Sequence, residues 1–240
     1  MCGRYVSSTP ADQLASYFGA TLTAEELLDP EYNVAPTRAV WTVFADGEAR
    51  RLDLARWGLV PFWAKDLSIG NRMINARAET VAEKNAFKKA FRRQRCIVPA
   101  DGFYEWTRPE GQKKKQPWFV HRPDGEPFAF AGLWETWRGP DREDEPLRTC
   151  TILTGPANEK MAEIHDRMPV MLAPDAWSTW LDPQVDDPDL LGRFLVPAPP
   201  QLISFHPVST EVNNTRNHGA HLVEPVAIGD EPRDDEATGG

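Results

Sequence analysis

Residues 96–107, Cys96-Ile97-Val98-Pro99-Ala100-Asp101-Gly102-Phe103-Tyr104-Glu105-Trp106-Thr107, decide the fold class. Two runs of β-branched and aromatic residues flank Asp101-Gly102, a dipeptide that favours tight turns. The same pattern continues on both sides. Residues 118–121, 127–134 and 148–154 read as strands, with Asp124-Gly125 marking another turn. Upstream, residues 39–57 read as a hairpin in which Val40, Thr42, Phe44, Leu52 and Leu54 alternate around an Asp46-Gly47 turn. Downstream, residues 170–172 and 203–208 read as further strands.

Helical signals are short. Thr9 as cap, Pro10 in the first turn and Gly19 as stop predict one helix. The capping box Thr23-Ala24-Glu25-Glu26 predicts a second, stopped by Pro30. Thr80-Val81-Ala82-Glu83 predicts a third, with Phe87, Ala90 and Phe91 facing inward. Residues 156–164 and 174–181 predict two more. The sum is an α+β domain: a mostly antiparallel β-sheet or barrel-like core with flanking short helices.

At 240 residues and 27.0 kDa, one large domain is expected. No apolar run approaches the roughly 18–20 residues of a membrane span, and no signal-peptide pattern is present, so a cytoplasmic protein is expected. Three Cys, at positions 2, 96 and 150, suit neither a disulfide framework nor a zinc site. A net charge of −9 argues against a general coater of duplex DNA. Basic residues nevertheless cluster at Arg72, Arg77, Lys84, Lys88, Lys89, Arg92, Arg93 and Arg95, against only Glu79 and Glu83. Such a stripe is either a solvated helix face or a contact for a short stretch of nucleic acid. Residues 227–240 read as an acidic disordered tail.

The chemistry is concentrated at Cys2. Removal of Met1 would give one residue both a free α-amine, of pKa about 7.7–8.0, and a thiol of about 8.5. Two chemistries suit such a 1,2-aminothiol. The thiol can attack a carbonyl with the amine as base, or the amine can form an imine onto which the thiol closes as a thiazolidine. Three further segments carry polar residues that a core strand or plain loop does not need: residues 74–80, 99–106 and 164–169. Each also has a local reading. Asn75 can be a turn residue, Arg77 can pair with Glu79, Glu105 can sit on the wet face of a strand, and His165 can favour a helix C-terminus.

Together the segments resemble a family. MCGRY at the start, NVAPT at 33–37, WGLVPFWA at 57–64, NARAET at 75–80, ADGFYEW at 100–106, HDRMPV at 165–170 and HPVS at 206–209 are similar to the SRAP (SOS response-associated peptidase) domain of abasic-site processing proteins. The resemblance spans about residues 2–226. It implies binding to single-stranded DNA and a covalent thiazolidine between Cys2 and the ring-opened aldehyde of an abasic deoxyribose, as part of the DNA-damage response. Cys2, Asn75, Glu105 and His165 match the active-site positions. Arg4, Arg77 and Arg167 match phosphate-holding positions, Trp63 and Trp106 match aromatic positions near the bases, and Pro36 falls in a DNA-holding loop. Ala64 stands where other members carry a second Trp, a departure that bears on base stacking and not on the chemistry. No cofactor, metal or membrane is implied, and a monomer is expected. The competing readings are an N-terminal-nucleophile thiol peptidase or amidase, including self-removal of Met1, and a non-covalent reader of DNA ends.

Overall fold

The computed structural model describes residues 2–108, 115–139 and 145–228. The chain opens with β1 (Tyr5–Ser7), α1 (Ala11–Phe18), β2 (Thr21–Leu22) and β3 (Glu31–Val34). The expected hairpin follows as β4 (Ala39–Asp46) and β5 (Ala49–Trp57), closed through Gly47 at φ 61°. Next come β6 (Asn75–Arg77), α2 (Lys88–Arg93), β7 (Arg95–Ala100) and β8 (Gly102–Thr107). Then β9 (Gln116–His121), β10 (Phe128–Trp137), β11 (Leu147–Pro156) and β12 (Arg167–Pro169) lead to α3 (Trp177–Leu181), α4 (Pro188–Gly192) and β13 (Ser204–Pro207).

Five strands close into a barrel in the order β7, β4, β5, β11, β10. All neighbours are antiparallel except β5 and β11, which meet in parallel through Arg56↔Thr149 and Trp57↔Cys150. β6 adds to β11 in parallel and β12 adds to it antiparallel. A second, antiparallel sheet runs β13-β9-β8-β1-β3. The α+β, mostly antiparallel and barrel-like expectation therefore describes the molecule.

β7 shows how the two layers share a core. Cys96 and Val98 pack with Tyr5, Trp57, Phe103 and Phe130, joining the barrel to the second sheet. Ile97 points the other way, into a cluster with Phe18, Phe91 and Trp180 under the helices. This is the period-two alternation of a strand with both faces buried. Asp101-Gly102 is not a hairpin turn as expected. β7 pairs with β4 and β10 whereas β8 pairs with β1 and β9, so the dipeptide carries the chain from one sheet to the other. Gly102 is required there, because a Cβ would lie 2.3 Å from the Phe119 ring. Asp124-Gly125 makes the reverse crossing, from β9 to β10.

Helix expectations need correcting. Gly19 ends α1 in the left-handed region as expected, but Thr9 does not cap it; its amide and hydroxyl bond the Asp101 carboxylate instead. Residues 23–30 form no helix: Thr23 N–H donates to Leu52 at 2.9 Å, continuing the β2 edge. The pairing of this edge with β5 outweighs the local capping signal. The capping box at Thr80 closes only a turn, and α2 begins at Lys88. Residues 156–164 contain a single 3₁₀ turn, Met161–Glu163. From residue 229 the acidic tail lies outside the described residues.

One member of the basic stripe is structural. Arg95 is buried, and its guanidinium donates to the carbonyls of Trp180, Phe91, Arg92, Asp182 and Val185, tying α2 and α3 to the barrel. Burial lowers its pKa to about 10, still protonated at neutral pH. Arg95→Met keeps the apolar stem and removes every donor, leaving buried carbonyls unsatisfied. A loss on the order of 3 kcal/mol of unfolding free energy is expected, read from the urea midpoint at unchanged m-value; a change below about 0.5 kcal/mol would show the network to be dispensable.

Candidate active site

Cys2 lies at the seam between the two layers. β1 is an inner strand of the second sheet, with Tyr5 opposite both Val34 and Phe103. Tyr5 also packs edge-on against Trp57 of the barrel, ring centroids 5.2 Å apart. Residues 2–4 continue from β1 into this packed region, and Cys2 is completely buried, its thiol 4.0 Å from the Arg4 carbonyl. From the barrel side, Asn75 Nδ2 donates to the Cys2 carbonyl at 2.8 Å. Asn75 is held in turn by the parallel pairing of β6 with β11. Its Oδ1 is buried and accepts no hydrogen bond from the described residues.

Glu105 belongs to β8. The register Tyr5↔Phe103 and Val6↔Gly102, extended by the Tyr104 N–H to Arg4 carbonyl bond at 2.9 Å, brings Glu105 opposite Gly3. The wet-face reading of Glu105 fails: it is buried, as are Phe103 and Tyr104. Burial, and then the nearby Glu105 carboxylate, push the Cys2 thiol well above its ordinary pKa. The thiol of the free protein is therefore protonated at neutral pH.

His165 approaches from the loop that ends in β12. Its Nε2 is 3.8 Å from Glu105 Oε2. Nδ1 is 3.0 Å from the Arg167 amide and 3.0 Å from Asp166 Oδ1. A neutral ring accepts from the amide and carries its proton on Nε2, facing Glu105; a doubly protonated ring donates from Nδ1 to Asp166. Two contacts join the four expected catalytic residues in pairs, Asn75 to Cys2 and Glu105 to His165, and the β1–β8 register brings the pairs together. Among the described residues, no group of three or more His, Cys, Asp or Glu side chains is placed to hold a metal ion.

The expected DNA contacts differ in their freedom. Arg77, at the end of β6, is exposed, and Trp63 is 52% exposed beside the equally open Phe62. Pro36 is half-buried before Thr37, whose φ of 75° is rare for a non-glycine residue. Trp106 is half-buried, its Nε1 donating to Asn213 at 2.7 Å. Arg4 is held by Asn33 Oδ1 at 2.7 Å and the Val212 carbonyl at 2.9 Å. Arg167 makes a two-pronged ion pair with Glu79, at 2.7 and 3.0 Å. Glu79 therefore pairs with Arg167, not with Arg77.

Two supporting residues had no role in the sequence reading. Asn33 is buried and donates from Nδ2 to the carbonyls of Asn214 and Asn217, both at 3.0 Å, while accepting from Arg4. Asn158 is buried between the Ala198 carbonyl and the Met161 amide, and pins the turn that presents His165. An Asn inside an otherwise apolar run was the available signal in NVAPT; the one in the 156–164 segment was hidden by its helical look.

The chain matches the family described as SOS response associated peptidase (SRAP) over residues 1–215. It is 44% identical over 225 residues to the abasic site processing protein YoqW of Bacillus subtilis, covering 93% of this chain and 99% of that one. It is 34% identical to the abasic site processing protein YedK of Escherichia coli, covering 94% and 100%. A crystal structure of a Bacteroides thetaiotaomicron protein superposes with a TM-score of 0.84 at 23% identity, covering 94% of this chain and 100% of that one, and so shares the fold. This chain belongs to the SRAP family.

Proposed function

We propose that this protein captures abasic sites in single-stranded DNA by forming a thiazolidine through Cys2, shielding the lesion from strand scission. The observation that supports it best is the buried Cys2, bonded by Asn75 on one side and facing the Glu105–His165 pair on the other. The names of the relatives, abasic site processing proteins, support the substrate class. A cytoplasmic, nucleoid-associated location belongs to the same proposal.

The steps follow from the groups present. An abasic deoxyribose is mostly a closed hemiacetal, and opening it moves a proton from the C1′ hydroxyl to the ring oxygen. Glu105 and His165 form a pair able to relay that proton. With Met1 removed, the Cys2 α-amine adds to the aldehyde carbon, and loss of one water gives the imine. The thiol then adds to the same carbon while its proton passes to nitrogen. The balance is one C–N bond and one C–S bond formed and one water released. The order is amine first, because the thiazolidine closes only when the thiol adds to an imine carbon. The iminium charge, once formed, favours the thiolate and brings on ring closure. Asn75 fixes the Cys2 backbone and offers its buried Oδ1 as an acceptor, a role for a neutral amide. A site that receives no base at the lesion selects an abasic nucleotide without reading sequence. Arg77 and Trp63, exposed, suit a phosphate and a base of the strand.

Intact mass after mixing with abasic single-stranded oligonucleotide is expected to show protein lacking Met1 plus oligonucleotide minus one water. Cys2→Ala should give no adduct, and Cys2→Ser only a labile imine that borohydride traps. Full adduct with Cys2→Ala would place the nucleophile on another residue. Amide hydrolysis that Cys2→Ser retains, with no adduct in wild type, would favour the peptidase reading.

Glu105→Gln should slow single-turnover adduct formation by roughly 10²–10⁴-fold, with affinity for a non-reactive abasic analogue unchanged; loss of affinity in proportion to rate would make Glu105 a binding residue. His165→Ala should be milder. The wild-type rate should rise with pH through the α-amine pKa of about 7.7–8.0, since only the free amine attacks.

Arg77→Ala should weaken capture and reduce the log–log salt slope by about 0.7, the value for one phosphate contact on a single strand. An unchanged slope would mean that Arg77 touches no phosphate.

A further inference from the structure

We propose that the outer face of α2, with Phe62 beside it, is a second contact for the polynucleotide strand that flanks the captured site. The proposal rests on the capture reading above and extends it to residues outside the Cys2 site. The chain carries 36 acidic against 27 basic residues, yet Lys84, Lys88, Lys89 and Arg92 all stand exposed within one ten-residue stretch, 84–93. The neighbouring cations are committed elsewhere: Arg93 bonds Asp186 at 2.7 Å, and Arg95 is buried against carbonyls. Ala90 and Phe91 fill the inner positions of α2, which confines the open cations to its outer face.

The aromatic neighbour separates this face from an ordinary solvated helix. Phe62 is 53% exposed, and Lys89 Nζ sits 4.3 Å from its ring centroid. An exposed phenyl ring and an ammonium held together match the two halves of a nucleotide, one stacking on the base and the other meeting a phosphate. Phe62 adjoins Trp63 in the chain, an aromatic already expected near the bases, and both are exposed. Along the chain, the α2 face follows on the strand that holds the reacting centre. β6 runs from Asn75, bonded to Cys2, to the exposed Arg77, and the chain then turns into Lys84 and α2. An acidic protein partner would use the cations but has no need of the exposed phenyl ring; a single strand uses both.

The test is equilibrium binding of the full chain to oligonucleotides carrying a non-reactive abasic analogue, of about four nucleotides and of about sixteen, extended on one side or the other of the lesion. The triple variant Lys88→Gln, Lys89→Gln, Arg92→Gln is expected to reduce the magnitude of the salt slope by about 2 on the long strand, for one direction of extension only, and to leave the short strand unaffected. Phe62→Ala should weaken long-strand binding by about tenfold, within the range of one lost base stack, and Phe62→Trp should retain it. Adduct yield with a short abasic oligonucleotide should match wild type in every variant. Unchanged long-strand binding in the triple variant, or equal losses on short and long strands, would overturn the assignment. If wild type made no adduct, the Cys2 chemistry would fall, while a length-dependent slope on the non-reactive analogue would still support the α2 contact.

Discussion

The candidate site depends on the burial of Cys2 at the seam between the two layers. Terminal residues usually fray, because nothing beyond them holds the backbone. Here β1 is an inner strand, paired on one side with β3 and on the other with β8, and its Tyr5 packs across the seam onto Trp57. The Asn75 amide then fixes the Cys2 carbonyl from the barrel side. Position 2 is thereby as well placed as a residue in mid-strand. Burial has an electrostatic consequence: it and then the Glu105 carboxylate raise the thiol pKa above its ordinary value.

The two layers divide the work. The barrel supplies Asn75 through β6 and His165 through the loop before β12, both elements attached to β11. The second sheet supplies Cys2 from β1 and Glu105 from β8. A site built across such a seam needs each layer rigid in itself, and the buried polar side chains serve that end. Arg95 gathers the ends of α2 and α3, Asn33 ties Arg4 to the segment 212–217, and Asn158 fixes the turn before His165. Each is satisfied by several partners, as a polar group in a core must be. Arg77, Phe62, Trp63 and the lysines of α2 stand exposed on the outside of this frame.

The strands were legible because alternation and Asp-Gly or Gly-containing turns are local signals. Their partners were not. Asp101-Gly102 looks the same whether it closes a hairpin or passes between sheets, and the parallel contact of β5 with β11 that closes the barrel joins residues far apart in sequence. The capping boxes at Thr23 and Thr80 misled because tertiary context outweighed the local signal: Thr23 pairs with Leu52 along β5, and Thr80 closes a single turn. Cys2, Asn75, Glu105 and His165 were singled out through ordered motifs, whereas the partners of the arginines were invisible. Glu79 lies two residues from Arg77 and pairs with Arg167 instead. Arg95 counts as surface charge in any composition tally and is in fact buried.

The proposal that one residue delivers two bonds to one carbon can be tested directly. Abasic single-stranded DNA labelled with ¹³C at C1′ should, after reaction with the protein, show a single new resonance of a tetrahedral carbon bonded to both nitrogen and sulfur. It should correlate with the Cys2 α and β protons and persist on dilution into unlabelled competitor. A resonance in the imine region, or one correlated to any residue other than Cys2, would contradict the thiazolidine mechanism.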